Sequence, residues 1–246
     1  MRAMIFAAGL GTRLRPLTEN RPKALIEVAG MALLEFSIRR LKLFGFREIM
    51  INIHYHGEQI LSFLEKNNGF GIHIEVSDER DLLLDTGGGL KKAAWFLDGG
   101  PFLVYNADIL SDLDLGKLYE THLGSDRLAT LAVQHRSSSR AFLFDENDDL
   151  CGWQNTATGE VKRSRPSETA TPWSFSGIHV LSPEIFTFMP EARPVFSIVD
   201  VYLEAAASRV IAAYRHNGGI WVDVGKLSEL DKAAGVIHQI PIAPKD

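Results

Sequence analysis

The first half of the chain alternates short apolar strands with amphipathic helical stretches, and this alternation restricts the fold more than any other feature. Residues 3–8 read as a short buried strand that ends in a glycine turn at Gly9. Residues 33–44 repeat apolar side chains at helical spacing (Leu34, Ile38, Leu41), with Arg39, Arg40 and Lys42 on the other faces. Gly45 then stops the helix in the usual C-terminal way. A β-branched strand over 48–54, a helix over 59–66 and a strand over 72–76 continue the pattern. Strands joined through helices need crossover connections, so the sheet is expected to be mainly parallel, with helices on both faces.

Further along, Gly87-Gly88-Gly89 is expected to open a helix that runs through Ala94, and residues 101–106 form a nearly all-apolar strand leading to Asp108. After Leu128 the texture turns β-rich, with strands over 129–135, 141–144 and 174–181. Residues 153–172 read as a loop or an edge hairpin, 183–189 and 197–208 as helices, and 220–224 as a last strand before a C-terminal helix. No internal repeat and no linker-like tract interrupts the chain. One domain over 1–246 is expected: an N-terminal nucleotide-binding half to residue 127, a β-rich sugar-binding half over 128–225, and the final helix.

Composition excludes several classes of function. With 246 residues, 46% hydrophobic and 23% charged, the chain can bury a core without disulfides or a structural metal. Its one cysteine, Cys151, cannot form an internal disulfide and reads as a packing residue. The formal charge of −5 and the lack of any long Lys/Arg block argue against nucleic acid as a partner. The tightest basic cluster, Lys162-Arg163 with Arg165, is too short to change that. No apolar run approaches the roughly 20 residues of a membrane helix. The N-terminus meets a glycine turn at once, unlike a signal peptide, so a dissolved, cytoplasmic protein is expected.

The most informative segment is Ala7-Ala8-Gly9-Leu10-Gly11-Thr12-Arg13-Leu14-Arg15-Pro16-Leu17-Thr18, followed by Arg21-Pro22-Lys23. Glycines after a buried strand let the backbone pass close to a ligand, and exposed N–H groups suit phosphate oxygens. Leu14 occupies the third glycine position of a dinucleotide-binding turn, and the Gly-Lys-Ser/Thr signature of P-loop proteins is missing. Gly11-Thr12-Arg13 instead places a guanidinium where it can clamp a polyphosphate, and Lys23 adds a second cation. Asp108 follows a buried strand, and ligands gather at the carboxyl ends of strands in open parallel sheets. Asp223 follows the strand-like Ile220-Trp221-Val222. Mg²⁺ is commonly held by one or two such carboxylates together with phosphate.

Other features read as structural. Asp112-Leu113-Asp114 mimics a D-x-D metal motif but precedes a helical stretch, where acids are favourable. His54 and His56 lack a third partner for zinc. Ser176 lacks the surroundings of a nucleophile elbow. Trp173 and Phe175 read as core strand residues.

The N-terminal string resembles the sugar-1-phosphate nucleotidyltransferase family, and the resemblance spans the chain. Within that family, Thr86-Gly87-Gly88-Gly89, Phe175-Ser176-Gly177-Ile178 and Trp221-Val222-Asp223-Val224-Gly225 are most similar to the N-acetylmuramate 1-phosphate uridylyltransferase branch. The resemblance implies a Rossmann-like three-layer α/β/α fold with a mainly parallel mixed sheet, the nucleotide-diphospho-sugar transferase fold. It implies that Ala8, Gly9, Gly11, Thr12 and Arg13 line the nucleotide and its phosphates. Lys23 would neutralise phosphate charge, and Gly87 and Gly88 would approach the base or ribose where a side chain would collide. Asp108 and Asp223 would hold Mg²⁺; the family usually reads Gly-Asp where this chain has Ala107-Asp108, which keeps the carboxylate. Arg13, Lys23 and Asp108 are the candidate catalytic residues. Candidates for sugar contact are Asn106, residues 154–160 ending at Glu160, and Ser176-Gly177.

The implied reaction joins the nucleoside monophosphate of an NTP, UTP first, to a sugar 1-phosphate, with N-acetylmuramate 1-phosphate the leading acceptor. Mannose- or heptose-1-phosphate guanylyl transfer stands next, then cytidylyl transfer to phosphocholine. A nucleotide-sugar-dependent glycosyltransferase and a non-catalytic regulatory homologue are the readings of another class. The first has no use for the phosphate clamp, and the second is expected to lose Lys23 or the metal aspartates, all of which are present.

Overall fold

The computed structural model describes residues 1–244. In chain order the first elements are β1 (Arg2–Phe6), β2 (Glu27–Val28), β3 (Met31–Ala32), α1 (Leu33–Leu43), β4 (Glu48–Ile53), α2 (Gly57–Lys66) and β5 (His73–Asp78). Then come α3 (Asp85–Lys92), α4 (Ala94–Leu97), β6 (Phe102–Asn106), β7 (Ile109–Ser111), α5 (Leu115–Leu123) and β8 (Ala129–Gln134). The remainder is β9 (Arg140–Phe144), β10 (Leu150–Asn155), β11 (Glu160–Arg163), β12 (Thr171–Leu181), α6 (Ile198–Ala205), β13 (Ile211–Arg215), β14 (Trp221–Asp223) and α7 (Leu230–Val236). The chain forms two compact units: Met1–Leu83 with Val104–Leu115 and Gly219–Asp246, and Leu84–Leu103 with Gly116–Gly218.

In the first unit the strands run in the order β6-β1-β4-β5, and β1, β4 and β5 pair in parallel. The sequence dictates this. Ala3, Met4 and Ile5 are fully buried, as are Ile49, Met50, Ile51 and Ile53, the continuous apolar texture of strands covered on both faces. Helix α1 buries Leu34, Phe36, Ile38 and Leu41. It ends where Gly45, at φ 82°, turns the chain so that the N–H groups of Gly45 and Phe46 reach the carbonyls of Lys42 and Leu41, both at 3.1 Å. A separate apolar cluster joins Leu14, Ile26, Val28, Leu33, Phe36, Leu110, Val222, Val224, Ala233, Ile237 and Ile240. It ties the loop after β1, the short β7 and β14, and the C-terminal helix to one floor. The buried Arg40 guanidinium crosses that region, donating to the carbonyls of Leu113 (2.7 Å) and Pro241 (2.5 Å).

The second unit is the β-rich part. β8 pairs antiparallel with β12 and parallel with β13, and β12, β9, β10 and β11 follow one another antiparallel. The β12 ladder to β8 slips between Phe175 and His179, where Gly177 takes φ 74°. Two buried histidines sit in this unit. The His122 ring hydrogen-bonds Thr130 Oγ1 and Ser182 Oγ, both at 3.0 Å, and burial lowers its pKa to about 4. His179 stacks on Phe175 at 5.2 Å between centroids, and burial lowers its pKa to about 3.

Several expectations are refined. The glycine triplet lies inside α3 instead of opening it. Residues 153–172 hold the edge hairpin of β10 and β11. Pro183–Phe188 is a 3₁₀ helix, and β13 was not legible in the sequence.

Candidate active site

The segment after β1 is shaped from beneath. The Ala7 N–H donates to Asn52 Oδ1 at 2.8 Å, and Asn52 Nδ2 donates to Glu79 Oε1 at 2.8 Å, all buried. These polar groups on β4 and after β5 occupy the end of the sheet and fix where the chain leaves it. Gly9 is then exposed. Gly11 takes φ 63°, and a methyl group there would lie 2.9 Å from Thr18 Cγ2 and 3.0 Å from Lys23 Cβ. The buried Thr18 hydroxyl donates to the Gly11 carbonyl at 2.8 Å. Only glycine fits both the left-handed backbone and the close approach, and that approach brings Lys23 back beside the turn. Thr12–Leu14 forms a 3₁₀ turn whose Leu14 sinks into the core while Thr12 and Arg13 stay exposed.

The segments that carry the two acids are joined through a ribbon. Asp108 lies between β6 and β7, on a segment held by the Ala107 N–H to the Phe6 carbonyl (3.1 Å) and by the Ser37 hydroxyl to the Ala107 carbonyl (3.4 Å). β14 pairs antiparallel with β7, setting Asp223 opposite Ile109, and the Val224 N–H donates to the Asp108 carbonyl at 2.8 Å. The Lys23 ammonium donates to Asp108 Oδ2. A methyl group on Gly225 would lie 2.7 Å from Asp223 Oδ1 and 2.9 Å from Arg13 Nη2, so both side chains face that glycine. Two cation–carboxylate pairs, Lys23 with Asp108 and Arg13 with Asp223, thus lie in the first unit on segments joined by the Val224–Asp108 backbone bond. The sequence leads one to expect the two acids at the ends of two strands of one sheet. Instead Asp223 ends a two-stranded ribbon with β7, outside the parallel sheet.

The chemistry of this donor set fits a hard divalent cation. Carboxylate oxygens are the ligands a hard divalent cation prefers, often completed by substrate phosphate, so Asp108 and Asp223 have the chemistry to hold one. Among the described residues no group of three or more His, Cys, Asp or Glu side chains is gathered for a metal. The His54 and His56 rings each donate to a backbone carbonyl, of Glu79 (2.6 Å) and Glu19 (3.1 Å).

The remaining candidates have other surroundings. Gly87 and Gly88 both donate their N–H groups to the Phe196 carbonyl, at 2.9 and 3.2 Å. Added methyl groups would meet the Phe196 ring at 2.4 Å and the Pro194 carbonyl oxygen at 2.1 Å. The space these glycines leave is thus filled by protein, not kept for a base or ribose. The Ser176 hydroxyl is fully buried and shares a 2.7 Å hydrogen bond with His216 Nε2, which withdraws that side chain from sugar contact. Gly177 is buried at the β12 irregularity. Glu160 is exposed on β11, 3.7 Å from the Lys162 ammonium, and Asn106 is half-buried at the end of β6. Asn52 and Glu79 were missed in the sequence; Thr18 and Gly225 stand within the quoted strings but were given no role of their own.

A family model described as nucleotidyl transferase matches residues 2–239. The N-acetylmuramate alpha-1-phosphate uridylyltransferase of Neisseria meningitidis serogroup B is 33% identical over 233 residues, covering 95% of this chain and 96% of the relative. The enzyme of the same name from Caulobacter vibrioides is 34% identical, covering 91% of each. The structure of the inositol-1-phosphate CTP transferase from T. maritima superposes with a TM-score of 0.78 at 14% identity, over 97% of this chain and 95% of that one, and so shares its fold.

Proposed function

The chain belongs to the nucleotidyl transferase family, and from that premise we propose that it transfers the uridylyl group of UTP to N-acetylmuramate 1-phosphate, releasing pyrophosphate. It is a nucleotidyltransferase with a Rossmann-like α/β fold, and nucleotide transfer to a sugar 1-phosphate is the reaction its relatives support. The observation that carries the reading is the pair of cations, Lys23 beside Gly11 and Arg13 at Gly225, each set against a carboxylate. The choice of UTP and of the muramoyl acceptor rests on the names of the two relatives aligned along nearly their whole length.

In the proposed reaction a phosphate oxygen of the sugar 1-phosphate attacks the α-phosphorus of UTP. A new P–O bond forms there as the bond to the bridging α–β oxygen breaks, and the electron pair leaves with pyrophosphate. The attacking phosphate is already anionic near neutral pH, its second pKa being about 6, so no general base is needed. The chain's task is positioning and charge neutralisation. The backbone of Ala8, Gly9, Gly11 and Thr12 lies against the nucleotide phosphates, Arg13 clamps them, and Lys23 exchanges its carboxylate partner for a phosphate oxygen. Asp108 and Asp223 are the residues that would hold Mg²⁺, which when bound supplies positive charge to the phosphates. Asn106, beside Ala107-Asp108, is the proposed sugar contact in this unit. The proposed setting is the cytoplasm.

A pyrophosphate-release screen of the four NTPs against a panel of sugar 1-phosphates tests the reading. UTP with N-acetylmuramate 1-phosphate is expected to lead, with UTP favoured over GTP at least about tenfold, a difference needing only about 1.4 kcal/mol. A preference for GTP with mannose or heptose 1-phosphate would replace the substrate assignment. Absence of pyrophosphate from every pair would remove the activity.

A further inference from the structure

The loop that carries the proposed phosphate clamp runs from Thr12 to Lys23, and most of it makes no regular structure. Its middle is nevertheless held from outside. The Tyr55 hydroxyl donates to the Glu19 carbonyl at 2.8 Å, the His56 Nε2–H donates to the same carbonyl at 3.1 Å, and Gln59 Nε2 donates to the Asn20 carbonyl at 2.8 Å. All three side chains come from the start of α2 and the turn before it. The Glu19 carbonyl thus accepts from two side chains, which uses both of its lone pairs and makes two bonds converge on one point of an exposed loop. The backbone is bent to make it so: His56 holds φ 52°, a left-handed conformation that costs a β-carbon-bearing residue energy. That bend sets its ring against Tyr55, with centroids 4.0 Å apart, so both reach Glu19.

We infer that Tyr55, His56 and Gln59 are positioning residues for the reaction: they strap residues 19–20 to α2 and thereby set where Arg13 and Lys23, at the two ends of the loop, present their charges. The inference rests on the nucleotide-transfer reading. The N-terminal end of the loop is pinned by Thr18 to Gly11 and by Leu14 in the core. The segment between Thr18 and Pro22 has the strap. Beyond it Pro22 and Ala24 are buried and Lys23 bonds Asp108, so losing the strap loosens residues 19–21 and blurs how Lys23 is presented, while the fold underneath is unchanged because the lost bonds lie at the surface.

The test is the double variant Tyr55→Phe/Gln59→Met, which removes one donor from each strapped carbonyl and keeps the side-chain bulk. A glutamate-specific protease reports on the loop directly, through native-state cleavage after Glu19 followed by mass spectrometry. Cleavage is expected to rise severalfold in the variant, with the thermal midpoint held close to wild type. The kcat/KM for UTP is expected to fall about tenfold, as two modest hydrogen bonds predict, while the KM for the sugar phosphate stays the same. A role in stability alone would lower the midpoint without this split. Unchanged cleavage after Glu19, or faster cleavage with unchanged kcat/KM for UTP, overturns the inference. A wild-type protein inactive with every NTP defeats the functional reading instead, and the cleavage ratio still decides whether the strap orders the loop.

Discussion

Arg13 and Asp223 meet over the bare Cα of Gly225, whose missing methyl group would sit 2.9 Å from the guanidinium Nη2 and 2.7 Å from the carboxylate Oδ1. Gly225→Ala therefore has to push one of them aside. Its backbone is not in the left-handed region, so alanine is tolerated locally and folding should be nearly untouched. The expected result is a fall in kcat/KM of about ten- to a hundredfold, the range a displaced charged group costs when positioning is lost. Steady-state kinetics beside a thermal melt checks it. A wild-type rate in Gly225→Ala removes the argument that this glycine spaces the site.

Arg13→Ala and Lys23→Ala each should lower kcat/KM by about two to three orders of magnitude if both groups act on charge that develops in the transition state. Asp108→Asn and Asp223→Asn keep the shape and should abolish divalent-cation-dependent turnover, and chelation of the wild type should do the same reversibly. Titrating Mg²⁺ against rate for each variant is the measurement. Retained metal-dependent turnover in both Asn variants counts against the two acids as the metal site.

Acid should weaken the fold through His122 and His179. Burial holds both folded-state pKa values, about 4 and about 3, below the ordinary value of 6.5. The unfolded chain thus takes up protons first as pH falls. The stability these neutral rings allow is fully present above pH 6.5 and is lost progressively towards the folded pKa values. His179→Phe removes one such group. Between pH 7.5 and 5.5 the wild type should lose about 1.4 kcal/mol more than the variant, read as the shift in urea midpoint at the two pH values. Equal losses would mean that His179 is not desolvated as its position between Phe175 and Tyr202 implies.

Cys151 should be chemically idle. It is fully buried and its thiol donates to the Leu143 carbonyl at 3.3 Å, a bond serine can also make. Cys151→Ser should keep full turnover, and loss of activity in a folded variant would require a role for the thiol.

Much of this molecule was legible in its residues. Uninterrupted apolar runs marked β1 and β4, and the spacing of Leu34, Ile38 and Leu41 marked α1, because burial repeats with the period of the element. The loop at residues 7–23 was legible because few structures need glycines and cations at those intervals. What escaped was set by distant partners. Asn52 and Glu79 look like surface residues until Ala7, far away in the sequence, is placed on them. The strand expected over 220–224 is β14, but its partner β7 has only three residues, too few to show alternation, so the ribbon they form escaped. Gly87 and Gly88 were assigned to the base or ribose by the family resemblance alone. Phe196 and Pro194 occupy the space instead, and nothing near the triplet in sequence announces them. Ser176 looked available beside a glycine, but its hydroxyl is buried against His216.

The pairing of Lys23 with Asp108 has a bearing on how a nucleotide arrives. Arg13 and Lys23 are formally cationic and Asp108 and Asp223 formally anionic, so the two pairs are balanced before anything binds, on a chain whose formal net charge is −5. A polyanion approaching from beyond a Debye length, about 8 Å at physiological ionic strength, meets little attraction from such pairs. Capture then depends on contact-range exchange instead of long-range steering. The encounter rate should accordingly respond weakly to added salt, even though the groups that receive the phosphates are charged.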